Sequence, residues 1–279
     1  MAPTREFQIG PVRIGGQAPL MMIAGPCVIE SEKHAGFIAG QLRQLSQELE
    51  LPLVFKASFD KANRSSVKSY RGPGLKEGLR ILGAIKRATG LPVLTDVHEV
   101  AQVEAAAEVC DVLQVPAFLC RQTDLLVAVG RSGRAVNVKK GQFLSPWEMG
   151  NVVEKVAGTG NERILVTERG TTFGYQNLVV DMRSLAILNR LGYPVIFDAT
   201  HSVQLPGGEH HRSGGQPEFI EPLARAAAAV GVDGIFVEVH ENPPTALSDG
   251  TNALPLNQFR PLAMKLMRLA QLVRAWSGT

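Results

Sequence analysis

The sequence predicts an α/β chain closed into a (β/α)8 barrel, and three observations carry that prediction. First, eight short apolar runs each end in a polar or charged residue: MMIAGPC (21–27), LVFKAS (53–58), VLTDVHE (93–99), VLQVPAF (112–118), AVNVKK (135–140), ILVTERG (164–170), VIFDATH (195–201) and GIFVEVHE (234–241). Second, most of these runs are separated by stretches with helical periodicity, and strands alternating with helices imply a parallel sheet that closes at eight units. Third, 279 residues suffice for one such barrel. No Pro/Ser-rich linker or low-complexity segment divides the chain, so residues 1–279 read as a single barrel domain with 1–20 as an N-terminal extension.

Taken in order, EFQIGPVRIGG (6–16) predicts two short strands around Gly10-Pro11, a hairpin suited to plugging the barrel bottom. Helices are expected at about 32–50, 75–89, 100–109, 122–131, 146–157, 179–191, 216–231 and 255–276. In the last, Phe259, Leu262, Leu266, Leu269, Val273 and Trp276 form one apolar stripe, and Pro255 suits a first helical turn. Two connections are unusually long, 59–74 and 202–218. Loops of that length in a compact domain are usually binding segments or lids, and the four glycines of the second suggest a mobile lid.

Hydrophobic content of 45% and charged content of 20% are those of a globular protein, and a net charge of +3 without a block of five basic residues argues against nucleic acid. The N-terminal MAPTREFQIG lacks the apolar core of a signal peptide, and no apolar run reaches the roughly 20 residues of a membrane span. Three widely spaced cysteines do not make a disulfide framework. The expectation is a cytoplasmic, reduced protein with no membrane partner and small anionic ligands.

In such a barrel the chemistry sits at the C-terminal strand ends. Here those ends carry Cys27, Lys56, Asp96, Gln114, Lys139, Arg169, His201 and Glu238. Lys56, Lys61, Arg64, Lys139 and Arg169 would repel one another around an empty mouth, but suit phosphate esters and carboxylates. A surface Lys or Arg is normally just solvated. Lys56, Lys139 and Arg169 instead end apolar strands, where a solvated cation gains little. The segment Lys61-Ala62-Asn63-Arg64-Ser65-Ser66 is dense in donors, fit either for a sugar phosphate or for a polar turn. Asp96 fits a sugar hydroxyl, or a role orienting a lysine.

Cys27, His201 and Glu238 end strands that neighbour one another in a closed barrel, and Asp249 follows the last of them. A thiolate, an imidazole and two carboxylates suit Zn²⁺, Fe²⁺ or Mn²⁺. His98, Glu99 and His240 are alternatives at strand ends, whereas His34, His210 and His211 read as solvated. Cys110 and Cys120 are assigned to packing.

Seven segments then become recognisable: KASFDKANRSS (56–66), SYRGPG (69–74), TDVHE (95–99), PAFLCRQTDLL (116–126), NVKKGQF (137–143), TERGTTFGYQNLVVDMRS (167–184) and DATHSVQLPGG (198–208). They closely resemble the 3-deoxy-D-manno-octulosonate 8-phosphate (KDO8P) synthase family, from about residue 21 to 260. The resemblance implies a (β/α)8, or TIM, barrel, usually homotetrameric, whose product feeds lipopolysaccharide synthesis. The implied reaction condenses phosphoenolpyruvate, D-arabinose 5-phosphate and water to KDO8P and inorganic phosphate. By matched motif, Lys56, Lys61, Gln114, Ala117, Lys139 and Arg169 would hold phosphoenolpyruvate. Asn63, Arg64 and Ser65 would hold the sugar phosphate, with Asp96 near its hydroxyls. Lys61, Lys139, Asp96 and His201 are the expected catalytic groups.

The resemblance also implies a metal-dependent class, marked by Cys27 within AGPCVIES (24–31), with Cys27, His201, Glu238 and Asp249 as ligands. Gly250 after Asp249 is a departure, since an Asp-Gly pair there is similar to the metal-independent class. A related synthase condensing phosphoenolpyruvate with erythrose 4-phosphate has Lys-Pro-Arg-Thr where this chain has Lys61-Ala62-Asn63-Arg64-Ser65-Ser66. Sialic acid synthases carry a further C-terminal domain for which no residues remain. A non-catalytic sugar-phosphate-binding barrel would have lost some of these groups, and all are present.

Overall fold

The computed structural model describes residues 1–63, 66–209 and 212–277. Eight parallel strands close on themselves: β3 (Met21–Gly25), β4 (Leu53–Lys56), β5 (Val93–Asp96), β6 (Val112–Val115), β7 (Ala135–Lys139), β8 (Ile164–Glu168), β11 (Val195–Asp198) and β14 (Gly234–His240). Closure comes from β11 pairing with β14 and β14 with β3. The helices α1 (Glu32–Glu48), α2 (Leu75–Thr89), α3 (Val100–Val109), α4 (Thr123–Arg131), α5 (Met149–Ala157), α6 (Arg183–Asn189), α7 (Ile220–Val230) and α8 (Leu256–Ser277) follow these strands in turn.

The period-two geometry of a strand divides each one between two environments. One set of positions, including Met22, Phe55, Val93, Leu113, Val136, Val166, Phe197 and Val237, packs under the helices. The alternate set, including Ile23, Val54, Leu94, Val112, Ala135, Leu165, Ile196 and Phe236, fills the barrel interior. Two residues beyond seven of these eight inner positions stand Lys56, Asp96, Gln114, Asn137, Thr167, Asp198 and Glu238, all buried, and Gly25 stands beyond the eighth, Ile23. The barrel lumen therefore changes from apolar to polar in one step toward its C-terminal mouth.

The other end is closed by the hairpin of β1 (Phe7–Ile9) and β2 (Val12–Ile14), whose Ile9, Val12 and Ile14 join the interior cluster. This is the plug expected from 6–16.

Four details differ from the sequence-based expectation. The glycine-rich stretch 202–218, expected as a long loop, contains an antiparallel hairpin, β12 (Gln204–Glu209) with β13 (Arg212–Gly215). Between β8 and α6 a small pair forms from β9 (Thr171–Thr172) and β10 (Leu178–Val179). Pro255 belongs to the short strand β15 (Leu254–Pro255) beside β14, and α8 begins after it. The apolar stripe of α8 is buried at Phe259, Leu262 and Leu266, but Trp276, in its last turn, is 65% exposed. Among the described residues no helix is long and apolar enough to cross a membrane.

Candidate active site

A cavity of about 1410 Å³ occupies the C-terminal mouth. Its walls include Lys56, Lys61, Asn63, Asp96, Gln114, Ala117, Lys139, Arg169, His201, Glu238 and Asp249. Arg64 and Ser65, expected to complete the sugar-phosphate segment, lie outside the described residues, as do His210 and His211.

One side of the mouth is an acidic cluster crossed by lysines. The β14–β3 register sets Glu238 opposite Gly25, which brings it beside Cys27. Gly25 is required there: a Cβ would lie 2.0 Å from the Lys56 carbonyl oxygen. Lys56 donates to Glu238 Oε1 at 2.5 Å and to the Cys27 carbonyl at 2.8 Å. Lys61 Nζ stands 3.7 Å from Asp96 Oδ2 and 3.8 Å from Glu238 Oε1. Burial pushes the Glu238 carboxyl up, but Lys56, His201 and Lys61 outweigh it and hold it at about 2. Burial also opposes the charge on Lys61, yet the Glu238 and Asp96 carboxylates beside it keep its pKa well above the usual lysine value.

Cys27 Sγ lies 2.7 Å from Ser248 Oγ and 3.2 Å from Asp249 Oδ2. Burial, reinforced by Asp249 and Glu238, pushes its thiol far above the ordinary range. Ligand atoms of Cys27, Glu238 and Asp249 lie within 4.8 Å of one another, and Glu238 Oε2 is buried without a hydrogen-bond partner. A soft thiol and two hard carboxylates around one orphaned oxygen fit a divalent transition ion. His201 stands outside that tight group, with Nε2 3.9 Å from Glu238 Oε2. Asp249 has φ 48°, and a Cβ on Gly250 would lie 2.2 Å from the Pro243 carbonyl oxygen. The Asp-Gly pair is thus explained by the turn that delivers Asp249, whatever the metal class.

Across the mouth, Lys139 forms an ion pair with Asp198, and its Nζ lies 3.3 Å from the centre of the Phe236 ring. Asp198 also accepts from the backbone N–H groups of Thr200 and His201 at 3.1 and 2.9 Å, and meets His201 Nδ1 at 2.8 Å. Burial pushes the Asp198 carboxyl up, but His201 and Lys139 hold it well below the carboxylate range. Burial lowers the pKa of Lys139, with Asp198 opposing. Arg169, buried and likewise lowered by desolvation, donates to Gln204 Oε1 of the hairpin at 2.9 Å.

A hydrogen-bond ladder joins the two sides along adjacent strands. Thr167 donates to Asn137 at 2.6 Å, Asn137 to Gln114 at 2.8 Å, Gln114 to Asp96, and Ser58 to the other oxygen of Asp96. Burial raises the Asp96 pKa, but Lys61 and Lys56 hold it well below the usual value.

Sequence reasoning missed Asp198, Asn137, Thr167, Ser58, Phe236 and Ser248. The first three were visible as polar residues two positions beyond an inner apolar one; Ser248 carried no local signal. His34, read as solvated, has a side chain only 11% exposed and stacks on His240 with ring centres 4.7 Å apart. Cys110 and Cys120 are buried, as packing residues should be.

Comparison with known proteins fits this geometry. The DAHP synthetase I family matches residues 4–275. A 2-dehydro-3-deoxyphosphooctonate aldolase of Syntrophotalea carbinolica is 61% identical over 268 residues, covering 96% of this chain and 97% of its own. Proteins of the same name from Geobacter metallireducens and Trichlorobacter lovleyi are 60% and 58% identical, each over 271 residues, 97% of this chain and 100% of theirs. This barrel, with its lysine-crossed acidic mouth, belongs to the DAHP synthetase I family and groups there with the 2-dehydro-3-deoxyphosphooctonate aldolases.

Proposed function

We propose that the chain is a KDO8P synthase, condensing phosphoenolpyruvate with D-arabinose 5-phosphate and water to give 3-deoxy-D-manno-octulosonate 8-phosphate and inorganic phosphate. KDO8P synthase and 2-dehydro-3-deoxyphosphooctonate aldolase name the same enzyme. The observation that carries the reading is the mouth itself: buried cations on both walls of one cavity, at identities near 60% to proteins of that name.

Phosphoenolpyruvate is a masked enol whose C3 attacks the sugar aldehyde; water adds at C2, and phosphate leaves. Lys139 and Arg169, buried on one wall, suit the phosphate, while Lys61 faces the carboxylate and the reacting carbons. Gln114 and Ala117 close that wall between the lysines. Lys56 already has Glu238 and the Cys27 carbonyl as partners, so its part is to hold that cluster at the substrate's edge. Asn63, Arg64 and Ser65 bind the sugar phosphate, and Asp96, fixed by the ladder, takes its hydroxyls.

Lys61 stays protonated and lies between Asp96 and Glu238, which makes it the donor to the alkoxide formed when C3 attacks the aldehyde. Lys61→Met should lower kcat by about 10²–10⁴; near-normal turnover at saturating substrate would remove that role. Cys27, Glu238 and Asp249, with His201 beside them, are the residues that hold a divalent ion (Zn²⁺, Fe²⁺ or Mn²⁺). When bound, the ion supplies Lewis-acid chemistry.

Cytoplasmic residence, a product destined for lipopolysaccharide and a homotetramer belong to the same proposal. Exposed Phe118, Phe143, Trp147, Phe173 and Tyr175, on the loops after β6, β7 and β8, supply apolar surface for subunit contacts. Phosphate release from phosphoenolpyruvate with arabinose 5-phosphate, run beside erythrose 4-phosphate, tests the reading. Turnover with the five-carbon sugar alone supports it, and preference for erythrose 4-phosphate overturns it.

A further inference from the structure

Outside the cluster around Cys27, a second group of metal-competent side chains lies where the end of β14 meets the start of α1. We propose that Glu30, His34 and His240 form a second divalent-cation site, of the mixed imidazole–carboxylate kind that Zn²⁺ favours. It would clamp the chain segment after β14 to the N-terminal turn of α1.

Ligand atoms of the three residues lie within 4.8 Å of one another. His240 Nε2 is 3.3 Å from Glu30 Oε1 without the alignment of a hydrogen bond. Both His240 Nε2 and His34 Nδ1 are buried with no hydrogen-bond partner, and the His240 side chain is only 5% exposed. Orphaned buried nitrogens are rare, and an ion is one of the few things that resolves them.

The surroundings match those of metal-bound histidines, whose second nitrogen usually meets a carboxylate. His34 Nε2 is 2.8 Å from Glu241 Oε2, which leaves Nδ1 as its free ligand atom. The same Glu241 oxygen lies 3.5 Å from His240 Nδ1. Among the described residues neither Glu30 nor Glu241 has a Lys or Arg within 4.0 Å, so imidazoles are the only ionisable bases paired with these two carboxylates. That is a local excess of negative charge which a cation balances.

One local bond opposes loading. The Asn242 N–H donates to His240 Nδ1 at 3.0 Å, which places the imidazole hydrogen on Nε2. Coordination at Nε2 moves that hydrogen to Nδ1, toward Glu241, and breaks the Asn242 bond. Binding is therefore weaker than at a site with no such competitor.

The site also touches the mouth indirectly. Glu30 Oε1 accepts the Leu247 N–H at 2.9 Å, and the next two residues, Ser248 and Asp249, are those that contact Cys27. An ion on Glu30 would fix the turn that carries Asp249.

Zinc content after equilibrium dialysis of the metal-stripped protein tests this, with variants that separate the two clusters. Cys27→Ser should keep one zinc ion per chain, and Cys27→Ser/His34→Leu should lose it. Cys27→Ser/Glu30→Gln should lose it too, and serves if the leucine variant does not fold. Zinc should raise the Tm of Cys27→Ser and leave both double variants unmoved. Cobalt loaded into His34→Leu reports the first cluster separately, through thiolate-to-cobalt absorption. A Cys27→Ser protein that takes up no zinc, or a Glu30→Gln double variant that takes up as much as its parent, overturns the second site.

Discussion

Lys56 Nζ sits 2.5 Å from Glu238 Oε1 with both side chains buried, so the acid most central to the metal-competent cluster is already neutralised by a lysine. An ion held by Glu238 shares it with Lys56, and the pair sets how negative the cluster is.

Removing one partner of such a pair leaves a buried charge uncompensated. Lys56→Met should destabilise the fold by about 3–5 kcal/mol, whereas Lys56→Met with Glu238→Gln should recover much of that loss. Urea unfolding of the single and double variants decides it. Equal destabilisation by both would mean that the ion pair is not what matters.

Asp198 joins Lys139 to His201, and Asp198→Asn leaves both without their shared acceptor charge. Activity or metal affinity should fall about 10–100-fold, the usual effect of losing a partner that orients a ligating histidine. Because Asp198 opposes the lowering of Lys139, the alkaline limb of the pH–rate profile should also move to lower pH. An unshifted limb would separate Lys139 from catalysis.

Gly250 follows Asp249 in a tight turn, and sterics require a glycine there. Gly250→Ala should cost about 1–3 kcal/mol by overpacking against the Pro243 carbonyl. The displaced Asp249 should weaken metal retention as well, read as metal content after dialysis. An alanine variant with wild-type stability and metal content would contradict the turn argument.

Asp96 makes the pH dependence explicit. Its folded pKa is held below the unfolded value of about 3.9, so near that pH the unfolded chain binds more protons and stability rises with pH. The contribution is complete above about pH 5 and is lost as pH falls through 4 toward the folded value. Tm measured from pH 6 down to 3 should therefore fall less steeply in Asp96→Asn than in the parent. Parallel curves would show that Lys61 and Lys56 do not hold the carboxyl down.

The barrel, its plug and most of the mouth were legible because strand geometry is simple. An inner apolar residue followed two positions later by a polar one, as in Leu94 and Asp96 or Phe236 and Glu238, announces both strand and site. The hairpin at 204–215 was not legible, because its four glycines and Pro206 look the same in a loop. The proximity of His34 to His240 was equally hidden: the two lie at opposite ends of the sequence and meet only because β14 closes on β3.

The most direct single measurement is phosphate release from phosphoenolpyruvate and arabinose 5-phosphate, before and after exhaustive chelation with EDTA. Activity that requires the five-carbon sugar, disappears on chelation and returns with Mn²⁺ or Zn²⁺ is the predicted result. Undiminished turnover after chelation would contradict a metal role for Cys27, Glu238 and Asp249, and absence of turnover in the metal-loaded protein would contradict the synthase itself.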